Sequence, residues 1–143
     1  MVTTSRYLDG AKSVRIVRRD GRFAPADLVR IDPEAGLAIL RFEVDDLPNS
    51  AIVEGFAAIP PSDRPGGASE VVIPLNLVGT AVSVRIAAIL ESDEALFLSG
   101  EVANGVPAFD NLGRLVALAD RPTPDRTRSV AIKATDVADW MAR

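Results

Sequence analysis

The run Val102-Ala103-Asn104-Gly105-Val106-Pro107-Ala108-Phe109-Asp110, continued by Gly113-Arg114-Leu115-Val116-Ala117-Leu118, sets the character of the chain. Asn104-Gly105 is a turn-forming pair, because glycine accepts positive φ and asparagine hydrogen-bonds its own backbone. Beyond Gly113, Arg114 to Ala119 is a short apolar run of β type. Similar runs occur at Glu70 to Leu75, Ala81 to Leu90, Ala95 to Leu98 and Ser129 to Lys133, each bounded by turn residues. That spacing predicts an all-β barrel. Arg121 to Arg126, with two prolines, reads as an exposed loop. Thr135 is placed to cap a terminal helix with Val137, Trp140 and Met141 on one face, and Trp140 is expected to pack on the barrel.

Toward the N-terminus, Ser13 to Arg18 alternates small or charged with apolar residues. Asp20-Gly21 supplies a tight turn, and Phe23 to Ile31 resumes the extended pattern, which predicts a β-hairpin. Asp32-Pro33 turns the chain before a buried strand over Leu37 to Phe42, and Pro48-Asn49-Ser50 marks another connection. Between Ile59 and Gly67, three prolines remove donors and two glycines add backbone freedom, so neither strand nor helix continues there. The predicted organisation is a first barrel over 1–58, a linker over 59–69, and a second barrel with its helix over 70–143.

Three segments together resemble the trypsin-like serine proteases, especially the bacterial high-temperature-requirement branch. Val2-Thr3-Thr4-Ser5-Arg6-Tyr7-Leu8-Asp9-Gly10-Ala11 resembles V-T-N-A-H-V-V-x-G-A, with Arg6 at the catalytic histidine. Ile31-Asp32-Pro33-Glu34-Ala35-Gly36-Leu37-Ala38-Ile39-Leu40 resembles a segment containing D-P-x-x-D-L-A-x-L, with Gly36 at the orienting aspartate. Val102 to Leu118 resembles G-N-S-G-G-P-L-x-x-x-x-G-x-V-V-G-I, with Asn104 at the nucleophilic serine. The resemblance implies two docked antiparallel β-barrels of trypsin-like type and a short C-terminal helix. Family members carry about one further hairpin upstream of Val2, so the first barrel is expected to be N-terminally truncated.

Acyl transfer needs a nucleophile, a base and a group that orients the base. An asparagine amide is not nucleophilic, arginine stays protonated, and glycine has no side chain. The resemblance therefore implies a pseudoprotease with no catalytic residues. Val102 and Val106 stand where the family has glycines in its oxyanion turn, and β-branched residues resist the positive φ such turns often use. Simpler readings stay open: Asn104-Gly105 as a plain turn, Arg6 as a solvated strand residue, and Gly36 as a loop glycine.

With 16 basic and 20 acidic side chains, the formal net charge of −4 gives no long-range pull toward nucleic acid or anionic lipid. No apolar run reaches about 18 residues and no leader pattern opens the chain, so no direct membrane span is expected. Histidine and cysteine are absent, which removes the usual transition-metal ligands and the commonest general base. No cofactor or metal is implied. Glu91-Ser92-Asp93-Glu94 reads as an exposed hairpin tip, since no calcium-loop spacing surrounds it. Arg18, Arg19 and Arg22 form a basic hairpin tip.

The function expected from this reading is a protein-interaction or scaffold subunit of a larger assembly. The alternative is a peptide-binding pseudoprotease that holds extended chains beside Leu115 to Ala119 or its neighbours. A third possibility is a hydrolase built on Ser99 with Lys133, or on an aspartate pair. A protein partner or self-association is expected, through an open edge of the first barrel whose unpaired backbone groups invite another strand. The resemblance points to the periplasm or cell envelope, and Met1 as a natural start points instead to the cytoplasm.

Overall fold

The structure is a computed structural model that describes residues 1–18, 20–43, 55–61, 67–76 and 83–143. The predicted connection at Pro48-Asn49-Ser50, the linker centre 62–66, Arg19 and the first two residues of the Ala81 run lie outside the described residues. The chain forms two compact units, Met1–Ile52 with Leu75–Ser83 and Val53–Pro74 with Val84–Arg143.

In the first unit, β1 (Val2–Thr4), β2 (Val14–Val17), β3 (Phe23–Asp32) and β4 (Leu37–Arg41) form a curled half-barrel in the order β1-β4-β3-β2. The predicted hairpin is β2 with β3. Arg18 N–H donates to the Arg22 carbonyl at 2.7 Å and Gly21 N–H to the Arg18 carbonyl at 2.9 Å. Gly21 supplies the left-handed residue, with φ at 80°, that a three-residue hairpin loop needs. Its register places Arg15 opposite Pro25 and Val17 opposite Phe23. Among the described residues of this unit, the buried apolar side chains are Ala24, Leu37, Ala38 and Leu40, while Val17, Phe23, Leu28 and Val29 remain exposed.

In the second unit the barrel closes. Strands β5 (Ser69–Asn76), β6 (Ser83–Glu91), β7 (Leu96–Ser99), β8 (Pro107–Phe109), β9 (Leu115–Pro122) and β10 (Arg128–Lys133) run in the order β10-β7-β6-β5-β8-β9. Val71 and Ile73, Ala87 and Ile89, and Leu96 and Leu98 alternate inward along their strands and form the core. Among the described residues, the seam between β5 and β8 is one registered pair, Val72 with Phe109. Gly55 to Ala57, which the sequence reading counts with the first barrel, runs beside β9. Leu115 N–H donates to the Gly55 carbonyl at 2.9 Å, and Ala57 N–H donates to the Leu115 carbonyl at 2.8 Å.

Helix α1 (Ala134–Met141) packs on β9 and β10. Two details differ from expectation. Lys133, in extended geometry and with no side-chain cap, precedes the helix, so Thr135 lies inside the first turn rather than capping it. The buried face is Ala134, Val137 and Trp140, with Met141 46% exposed. Strand β8 is the element that sequence reading missed.

The β8–β9 connection is clamped by Asp110, which is only 4% exposed. Its carboxylate accepts the Leu112 and Arg114 N–H groups at 2.9 and 3.0 Å. The Arg114 side chain donates to it through Nε and Nη2, each at 2.8 Å. Burial alone would raise the Asp110 carboxyl, but the two N–H groups and the guanidinium outweigh it and hold it below the ordinary carboxylate value.

Trp140→Ala should lower unfolding free energy by about 3–5 kcal/mol, read from the urea midpoint, because a fully buried indole leaves a cavity on β9 and β10. Asp110→Asn should cost about 1–3 kcal/mol near neutral pH. The folded chain keeps this carboxylate charged to lower pH than the unfolded chain. Its contribution is therefore complete above the unfolded value of about 3.9 and is lost as pH falls through the lower folded value. The difference between native and variant midpoints should accordingly hold above about pH 4 and shrink as pH falls below it.

Candidate functional site

Two of the three predicted positions meet at one end of the half-barrel. Strand β1 ends with Thr4 opposite Leu37, and the next pairing is Ser5 N–H donating to the Gly36 carbonyl at 2.8 Å. Arg6 follows Ser5 directly, is exposed, and opens a series of turns through Gly10. Gly36 closes the turn from Asp32, whose carboxylate accepts Ala35 N–H at 2.9 Å. At φ 71° it occupies the left-handed region, so backbone geometry gives this glycine a reason of its own. Arg6 offers only donors and Gly36 only backbone, so the pair supplies no proton acceptor of the imidazole type.

Asn104 belongs to the second unit, on the connection from β7 to β8. Ala103 to Val106 is a turn closed by Val106 N–H donating to the Ala103 carbonyl at 3.3 Å. Gly105, at φ 75°, holds the third position where a type II turn requires positive φ. Gly105 N–H donates to the Ala119 carbonyl at 2.8 Å, and Ala119 N–H returns to the Val106 carbonyl at 2.9 Å. The Asn104 Nδ2 is buried and makes no hydrogen bond.

The connection is fastened at its start by a residue that sequence reading did not single out. Ser129, fully buried on β10, accepts Val102 N–H at 2.8 Å and donates to the Gly100 carbonyl at 3.1 Å. An oxyanion hole needs N–H groups converging on one empty point. Here the N–H groups of Val102, Gly105 and Val106 all end on oxygens of the protein itself. Neither valine adopts positive φ; among the described residues Arg126 is the one non-glycine that does.

Ser99 and Lys133 are not brought together. Ser99 pairs with Arg128, and Lys133 lies five residues further along the same strand, about 16 Å at the usual strand rise. Ser99 Oγ accepts Ala88 N–H, and Lys133 bonds Glu91, whose carboxylate raises the lysine's pKa. The acidic run is a hairpin tip, as expected: Ser92 Oγ accepts the Glu94 and Ala95 N–H groups. At the basic tip, Arg18 and Arg22 share Asp20 at 3.9 and 3.7 Å.

Of the region expected to receive a peptide, Leu115 to Ala119 is itself paired on both sides. Between Leu115 and Ala119, β9 is hydrogen-bonded to β8 and the Gly105–Val106 segment on one side, with β10 taking the other side from Ala117 onward. Gly55 and Ala57 also bond Leu115. Among the described residues no three acidic side chains are grouped to hold a metal ion, and no helix is long and apolar enough to cross a membrane.

The sequence matches no protein-family model and no curated protein. Solved structures match its fold. The MamO protease domain from Magnetospirillum magneticum, in apo form, superposes with a TM-score of 0.62 at 18% identity, over 97% of this chain and 80% of that one. The HtrA-type protease AlgW with a decapeptide gives a TM-score of 0.66 at 20% identity, over 99% of this chain and 46% of that one. The serine endoprotease from Yersinia pestis gives 0.66 at 21%, over 99% and 52%. The chain thus spans about half the length of the last two. At these identities the likeness is one of fold, and the fold is that of the trypsin-like, HtrA-type serine proteases.

Proposed function

We propose that this chain is a catalytically inactive trypsin-like domain that works as a protein-interaction or scaffold subunit of a larger assembly. The observation that carries the reading is the bonding of the connection around Asn104. Three of its N–H groups are committed to the Ser129 hydroxyl and the Ala119 and Ala103 carbonyls, so they are not offered to a developing oxyanion. Arg6 and Gly36, side by side at the end of the half-barrel, add no base and no group to orient one. The half-barrel supports the interaction side of the reading. Among its described residues the outer strands are β1 and β2 and few apolar side chains are buried, so a strand from a partner would complete pairing and packing together.

Unfolded casein should remain uncleaved on prolonged incubation, and a serine-directed phosphonate should label no residue. Labelling of one serine, abolished when that serine is replaced by alanine, would overturn the reading.

A further inference from the structure

Strand β2 pairs with β3, and among the described residues no strand pairs with its other side. The hairpin fixes which groups face outward. Arg18 and Arg22 form a hydrogen-bonded pair at the loop, so Ile16 with Ala24 and Val14 with Ala26 are the next such pairs. Arg15 and Val17 lie between them and turn their N–H and C=O groups away from β3. Pro25, opposite Arg15, fits this register, since that position owes β2 no donor.

The side chains beside this edge are of two kinds. Val17 and Phe23 are cross-strand neighbours, 52% and 65% exposed, and form an apolar pair in solvent. The Arg15 guanidinium lies 6.0 Å from the centre of the Phe23 ring, and Arg22 is exposed nearby. In the sequence, Lys12, Arg15, Arg18, Arg19 and Arg22 stand against Asp20 alone, so residues 12–22 carry +4 within a chain of net −4. Edge-to-edge pairing of two β2 strands would bring two such segments about 5 Å apart, within a Debye length of about 8 Å. A second copy is therefore a poor occupant.

We infer that the β2 edge takes up an acidic, extended segment of a partner protein as an added strand, with carboxylates near Arg15 and Arg22 and an apolar side chain on Val17 and Phe23. The inference rests on the interaction-module reading and names the chemistry of the partner.

The probe is a fluorescein-labelled peptide of about eight residues, alternating glutamate and valine, followed by anisotropy on the full chain. Its counterparts are the same peptide with lysine for glutamate, the acidic peptide N-methylated at alternate residues, and a single-stranded oligothymidine. The acidic peptide should bind. Its affinity should fall about tenfold or more in Arg15→Glu, and also when salt is raised from about 50 to about 300 mM. N-methylation and Val17→Pro should each abolish binding, the latter because it removes an outward N–H while leaving the β2–β3 bonds, with folding checked by circular dichroism. Equal binding of the lysine peptide, unchanged binding by Val17→Pro in a folded protein, or tighter binding of oligothymidine would overturn the inference. Mass spectrometry of the same samples separates the two levels. Cleaved peptide overturns the interaction-module reading, whereas intact and unbound peptide overturns the edge assignment alone.

Discussion

Strand β9 carries the second unit. From Leu115 to Asp120 every residue is buried, and hydrogen bonds to β8, β10, Gly55, Ala57 and the Asn104 turn take up both edges. Such a strand has the core beneath it and α1 above, so it reads as a nearly continuous apolar run rather than an alternation. The Ala119 bonds to Gly105 and Val106 set the height of the Asn104 turn, and the Ser129 hydroxyl sets where that turn begins. The connection around Asn104 is thus part of the barrel wall, held from two strands at once.

Among its described residues the first unit shows no equivalent. Their buried apolar set is small and rich in alanine, and the Leu28 side chain remains 40% exposed opposite buried Leu40 on the paired strand. At about 25 cal/mol per Å² of apolar surface, alanines contribute little toward the entropy of fixing the backbone. A sheet of this kind gains from any additional strand, through backbone pairing and cover for side chains together.

Local chemistry made much of this legible in the sequence. Asp20-Gly21 announced its hairpin, Pro33 its turn, and the apolar runs of the second unit their strands. Strand β8 escaped because three residues beginning with proline leave no periodicity to detect. Thr135 misled because threonine is a good cap in isolation, whereas β10 feeds directly into the helix through Lys133. The placement of Arg6 beside Gly36 was implied by resemblance. The bonding of the Asn104 connection was not legible, since Ser129 lies 27 residues from Val102 and a buried hydroxyl has no signature in a linear chain. Gly36 has two sufficient explanations, an absent carboxylate and a left-handed turn, and its residue type alone does not separate them.

The one pair that joins β5 to β8 among the described residues, Val72–Phe109, has a dynamic meaning. A closed barrel resists opening where its strands share long ladders, and loosens first where they share least. Amide hydrogens flanking this seam would therefore exchange by local opening well before those of the β9–β10 hairpin. The barrel would breathe along this seam, beside the Asn104 turn, while the β9–β10 wall stays shut.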